Sequence, residues 1–189
     1  MDKIAHVIGN GPSWDQFKKI TPDDFVIGCN ATKCKEADVT IVSDMRMCNQ
    51  IIHMKKWNRM GEFQDVPIIA SERVNDWYIN TPEVHGYIEI HDVFAKGQWF
   101  KTHGMSSAHS AAFWAISKGY TEIHVWGIDA YWDGLTYSYT DKIVPSLLKK
   151  DVEKINSMAD WWKRNWDYII EHYPNINIAL HRPLCYNED

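Results

Sequence analysis

Two rhythms of apolar and polar residues alternate along the chain. One is a short, β-branched run that ends in small or polar residues: KIAHVIG (3–9), DFVIGCN (24–30), DVTIVSD (38–44), VPIIAS (66–71), GYIEIHDV (86–93), EIHVWGID (122–129) and INIALHR (176–182). Such runs predict strands buried in a parallel sheet. The other rhythm is helical. SWDQFKKI (13–20) predicts a short helix with Pro12 in its first turn and Gly11 or Ser13 as its cap. MCNQIIHMKKWNRM (47–60) and SSAHSAAFWAISK (106–118) also have helical spacing, the second opened by a serine cap and closed by Gly119. A long helix is predicted from about Val152 to His172, where Ile155, Ala159, Trp162, Trp166, Ile169 and Tyr173 keep an apolar stripe. Strands alternate with helices, so the pattern predicts an α/β sandwich: a mainly parallel sheet with helices on both faces. No internal repeat or linker divides it.

Composition narrows this picture. At 189 residues, 45% of them apolar, the chain suffices for one core, so a single domain over 1–189 is expected. No apolar run is long enough to span a membrane. MDKIAHVIGNG lacks the apolar stretch and cleavage site of a signal peptide, so a cytoplasmic location is expected. Cys29, Cys34, Cys48 and Cys185 form no C-x-x-C pair, which predicts reduced thiols. The net charge is −5 with Lys and Arg scattered, so no basic footprint for duplex DNA is visible. There is no D-x-D pair, no H-x-x-x-H pair and no Cys/His cluster. No resident cofactor and no metal are therefore expected.

In open α/β sheets ligands bind at the carboxyl ends of the strands, and four such ends carry candidate chemistry here. Gly9-Asn10-Gly11-Pro12-Ser13 reads either as a phosphate-holding nucleotide loop or as a plain turn, since the third glycine of the dinucleotide fingerprint is missing. Asn30, after the second run, offers a donor and an acceptor to a base or sugar, or closes an Asx turn. Ser43-Asp44 has the same two readings. The fourth end, GIDAYWDGLTYSY (127–139), sets Gly127, Ile128 and Asp129 before Tyr131, Tyr137 and Tyr139 on a loop, as phosphate donors or as cover for the sheet edge. Ser106 and Ser107 open a helix, where amides and the helix dipole favour an anion or where the serines simply cap.

Across VIGNGPS, GCN, TIVSD and, most specifically, SSAHSAAFWAISKGYTEIHVWGIDAYWDGLTY (106–137), the chain resembles the bacterial sialyltransferases of glycosyltransferase family 42. More distantly it resembles the MptE-like pterin diphosphokinase group. The resemblance implies a Rossmann-like domain with a short lid-like region around 132–155. It implies a cytidine monophospho-sugar held by Asn10, Asn30 and Ser107, with Gly9 and Gly11 shaping the loop and Gly127 and Ile128 lining the nucleotide. It further implies that Tyr131 and Tyr137 steady the leaving phosphate.

This sequence departs from the family in two places. The family's second asparagine falls at Ser43, so the donor need not be cytidine-based. The family's histidine base has no counterpart in VPSLLKKDVEKINSMADWW (144–162). His103 and His109, which flank the serine pair, and Asp129 and Asp133 are the alternatives. The expected activity is metal-independent transfer from a CMP- or UDP-sugar to a glycan or to a hydroxymethylated base of viral DNA, with tryptophans available for stacking. An ATP-dependent pyrophosphokinase and a non-catalytic nucleotide-binding protein are the rival readings.

Overall fold

The computed structural model describes residues 3–71, 88–91, 105–133 and 152–184. Seven strands form one sheet: β1 Ile4–Ile8, β2 Phe25–Cys29, β3 Val39–Val42, β4 Ile68–Ser71, β5 Ile88–His91, β6 Glu122–Trp126 and β7 Asn177–Leu180. Their order is β5-β4-β3-β2-β1-β6-β7, and every neighbouring pair is parallel. The expected α/β class with a parallel sheet therefore holds. The chain steps outward from β1 to β5 and then returns to lay β6 against the other side of β1. Strand order reverses at β1 and β6, which puts the crevice of such a sheet at their carboxyl ends.

Alternation along the strands sorts the core into two faces. Ala5, Val7, Ile27, Cys29, Ile41, Ile69, Ile123 and Val125 pack on helix α2 (Ser107–Ser117) and on Trp166 and Ile169 of helix α4 (Val152–His172). Val42, Ile68 and Ala70 face the other way, onto Met47, Cys48, Ile51 and Ile52 of helix α1 (Met45–Lys56). Ile8 and Val26 share that second face with Trp14, Phe17 and Trp126. Each fully buried aliphatic side chain contributes about 1.5–3 kcal/mol, so this alternation fixes the strand register.

Local chemistry sets the helix ends. Asp44 caps α1 by accepting from the Met47 amide at 2.8 Å, so the helix starts two residues before the predicted stretch and stops at Lys56, short of its end. Helix α2 ends at Gly119, whose φ of +80° is the left-handed C-terminal stop expected from the sequence. The predicted helix after β1 is a single 3-10 turn, Pro12–Gln16, with Pro12 leading and Gly11 as its cap. Ser13 lies inside that turn. A second short turn, α3 (Ala130–Asp133), occupies the start of what the sequence suggests is a loop.

Candidate functional site

The register Ile8↔Trp126 makes the residues after β1 and β6 leave the sheet side by side. The Gly9 amide donates to the Trp126 carbonyl at 2.7 Å, and the Gly11 amide donates to the Gly127 carbonyl at 2.8 Å. A Cβ on Gly9 would collide with the Gly127 carbonyl, and one on Gly11 with the Asp129 carboxylate. Gly127 itself sits at φ +64°, with Gly9 O 2.8 Å from where its Cβ would lie. The glycines of GNGPS thus answer first to loop-on-loop packing, a partnership that spacing within the loop does not reveal.

Asp129 completes this clasp. Its Oδ2 accepts from Ser13 Oγ at 2.9 Å and from the Ser13 amide at 3.3 Å, and the carboxylate is buried. Ser13 and Asp129, read from the sequence as a nucleotide contact and a candidate base, are here engaged with each other. Ile128 packs at the edge of the main core, and its carbonyl accepts the Tyr131 amide. Between the clasped loops stands Asn10. It is 7% exposed, and both Oδ1 and Nδ2 are buried without a hydrogen-bond partner among the described residues. An unsatisfied buried amide costs about 1–3 kcal/mol per group, so a polar ligand at this point gains what the apo fold forgoes.

A second polar knot joins the ends of β2 and β3 to α2. Asn30 holds a left-handed φ of +58°, a conformation Asn tolerates. Its amide donates to the Ile41 carbonyl at 2.9 Å, and its own carbonyl accepts from Thr40 Oγ1 at 2.5 Å. Ser107 Oγ donates to Asn30 Oδ1 at 2.8 Å and accepts the Ser43 amide at 3.3 Å. Ser43 Oγ and Ser110 Oγ are 2.7 Å apart. Asn10 and the Asn30–Ser43–Ser107 knot follow three adjacent strands of the sheet. The Asn30 carboxamide has its oxygen occupied by Ser107, while its Nδ2 donates to no group among the described residues.

The structure corrects one expectation. His109 is fully buried, accepting the Ser106 amide at Nδ1 (3.0 Å), with Ser106 Oγ at 2.8 Å from the same nitrogen. An amide only donates, so the ring proton is on Nε2, which donates to the Trp162 carbonyl at 3.0 Å. Burial pushes its pKa down to about 3. His109 is therefore a neutral helix cap tied to α4 and is inaccessible as a base. Ser106 is likewise the cap, with Ser107 behind it.

Tyr131 lies on α3, half-buried against the core, with its hydroxyl donating to Asp167 Oδ1 of α4 at 3.2 Å and Lys163 Nζ 5.5 Å from its ring centre. Burial and the Asp167 carboxylate raise its pKa, so the phenol stays a donor. Tyr137, Tyr139 and His103 lie outside the described residues, as does most of the lid-like region; Asp133 ends α3. Sequence reasoning missed the histidines of β1, β6 and the end of β7. The signal was there: IAHVI, EIHVW and NIALHR each carry one histidine inside an apolar run.

No protein-family model and no curated protein matches the chain. Solved structures do. The sialyltransferase CstII from Campylobacter jejuni in complex with cytidine-5'-monophosphate superposes with a TM-score of 0.64 at 20% identity, over 97% of this chain and 81% of that one. CST-II in complex with trisaccharide acceptor and CMP gives 0.63 at 18% identity, over 94% and 80%. The monofunctional alpha-2,3-sialyltransferase Cst-I from Campylobacter jejuni gives 0.58 at 17%, over 95% and 75%. No described helix is long and apolar enough to cross a membrane. At these identities the likeness establishes that the chain has the α/β fold on which those sialyltransferases are built.

Proposed function

We propose that the protein is a glycosyltransferase whose donor is a sugar activated by a cytidine or uridine nucleotide. The observation that carries this reading is Asn10, a buried carboxamide with no partner among the described residues, at the point where strand order reverses. Solved structures of the same fold include complexes with CMP and with a trisaccharide acceptor, which supports the choice of ligand class. In this reading Asn10 and the Asn30 Nδ2 hold the nucleotide, and the Ser107 hydroxyl fixes the Asn30 amide in orientation. Gly127 and Ile128 form the wall, and the Asp129–Ser13 bond keeps the two loops at a fixed separation. Tyr131, released from Asp167, donates to the leaving phosphate, and Tyr137 is assigned the same role. Preorganised donors of this kind stabilise charge that develops on a leaving group without a metal ion.

Thermal shift with CMP, CDP, UDP, ATP and NAD tests the proposal. A ligand at one hundred times its Kd adds about 2.7 kcal/mol to the stability of the folded state. CMP, CDP or UDP is expected to raise Tm, with or without EDTA. Asn10→Ala is expected to remove that shift while leaving the unliganded Tm unchanged or higher, because it deletes an unsatisfied amide. Stabilisation by ATP or NAD alone would overturn the assignment.

A further inference from the structure

β1, β6 and β7 carry a second polar constellation on the face turned away from α2. The register pairs His6 with His124, and His124 with Ala179, two residues before His181. The ring centres are 5.2 Å apart for His6–His124 and 5.1 Å for His124–His181. Two hydrogen-bond chains run through these rings. In the first, Trp126 Nε1 donates to His6 Nδ1 at 3.2 Å, so the His6 proton is on Nε2 and donates to Asp24 Oδ2 at 2.8 Å. An indole N–H cannot accept, so this chain is locked.

The second chain is not locked. His124 Nε2 donates to Glu122 Oε1 at 2.8 Å, and His124 Nδ1 lies 2.8 Å from His181 Nε2. With both rings neutral, the shared hydrogen belongs to His181 Nε2. That leaves the lone pair on His181 Nδ1, which bonds to no described residue. Among the described residues no group of three His, Cys, Asp or Glu side chains is placed to hold a metal ion, so the imidazoles serve each other.

This chain ends at the carboxyl end of β7, beside the strand end that leads into Gly127. The His181 amide donates to the Val125 carbonyl at 2.9 Å, and its ring stacks on Trp126, with centres 3.5 Å apart and planes 1° apart. The Trp126 carbonyl is the acceptor of the Gly9 amide. Beyond His181, the Arg182 guanidinium lies 5.8 Å from the Trp132 ring of α3, and the Leu184 amide donates to Gln16 of the 3-10 turn. Residues 181–184 therefore run past the end of β6, α3 and the turn after β1, the elements that wall the site.

We propose that His181, backed by His124 and Glu122, is the general base that takes the proton from the acceptor hydroxyl; this rests on the glycosyltransferase reading. The acceptor oxygen forms its bond to the anomeric carbon as its proton passes to His181 Nδ1. The bond from that carbon to the phosphate oxygen breaks, and its electron pair leaves with the nucleotide. His181 then passes its Nε2 proton to His124 Nδ1, so the positive charge comes to rest beside the Glu122 carboxylate. Burial, then His124 and His6, push the His181 pKa down to about 4, which keeps the ring neutral and able to accept. The charged and titratable groups facing the relay are His6 from β1, Asp24 and Lys19 from the segment before β2, His124 and Glu122 from β6, and Arg182 beside it.

The test combines turnover with ring-nitrogen NMR. CMP-N-acetylneuraminic acid and UDP-glucose are the donor probes, with lactose or water as acceptor. His181→Gln keeps an amide for His124 but cannot take up a proton. It is expected to lose about 100-fold or more in kcat, with donor KM and the CMP or UDP thermal shift unchanged. Glu122→Gln removes the carboxylate that holds the cation, so the acid limb of its kcat–pH profile is expected at lower pH. In the wild type, ¹⁵N shifts are expected to show His181 Nδ1 unprotonated at neutral pH, with its Nε2 hydrogen-bonded to His124 Nδ1. A His181→Gln variant with kcat within about threefold of wild type, or a protonated His181 Nδ1 at neutral pH, overturns the relay while leaving the transferase reading intact. A wild type that neither binds nor turns over these nucleotides overturns the transferase reading and the relay with it.

Discussion

Replacing Gly127 by alanine isolates the clasp between the two site loops. Two costs are visible in the structure. The left-handed φ of +64° costs an L-residue about 1–2 kcal/mol. The added Cβ would also sit 2.8 Å from the Gly9 carbonyl oxygen and 2.9 Å from Trp14 Cβ, an overpacking worth about 1–3 kcal/mol. Gly119→Ala is the matched control: its φ is +80°, but nothing lies within 4 Å of the new methyl, so only the conformational cost applies. For a chain of this size 1 kcal/mol moves Tm by about 2–4 °C, so Gly127→Ala should lower Tm by about 4–20 °C and Gly119→Ala by about 2–8 °C. Differential scanning calorimetry with urea midpoints measures both. Equal losses in the two variants would refute the close approach of the loops, and with it the claim that these glycines serve packing.

Acid should destabilise the fold through two histidines whose pKa the fold lowers, the buried His109 and the half-buried His181. The unfolded pKa is about 6.5, and the folded values are pushed down to about 3 for His109 and about 4 for His181, so the folded state binds fewer protons. Stability is complete above pH ~6.5 and falls below it, by up to about 1.4 kcal/mol per pH unit for each such histidine. His109→Gln, which keeps a capping-box residue after Ser106, should flatten the decline of the urea midpoint between pH 7 and 4.5; parallel slopes would argue against a neutral buried cap. Tyr131→Phe removes one hydroxyl bonded to Asp167 at 3.2 Å, so stability should change by less than about 1 kcal/mol. Turnover of a CMP- or UDP-sugar should fall by about 100-fold if that hydroxyl meets the leaving phosphate, and unchanged turnover would leave the phenol a purely structural role.

The legible parts of the fold are those where pattern and burial coincide. β1, β2, β3, β4 and β6 are short apolar runs because both faces of the sheet are covered, and α4 shows its stripe because one side of it meets the core. What stayed hidden depended on partners remote in sequence. GNGPS in isolation reads equally as a phosphate loop or a plain turn, and its glycines are required by Gly127 and Asp129. His109 reads as a candidate base beside the serine pair, but it takes the capping-box position after Ser106 and its Nε2 reaches the Trp162 carbonyl of α4. The α3 segment reads as loop in the sequence because one turn, Ala130–Asp133, is too short to show a helical period. The histidines of β1 and β6 leave no mark on the pattern, because an apolar run with one polar member still reads as a buried strand.

The placement of β1 also has a kinetic consequence. It is an interior strand, yet its neighbours β2 and β6 lie far apart in the sequence, and the Ser13–Asp129 bond joins residues 116 positions apart. During synthesis β2 is available to β1 early, whereas the other edge of β1 has no native partner until Glu122–Trp126 has left the ribosome. Closing so long a loop is entropically slow, and an apolar parallel edge that waits is open to pairing with another chain. The step that builds the crevice is therefore also the step that withdraws the chain from aggregation, so variants that loosen the clasp should lose soluble yield before they lose secondary structure.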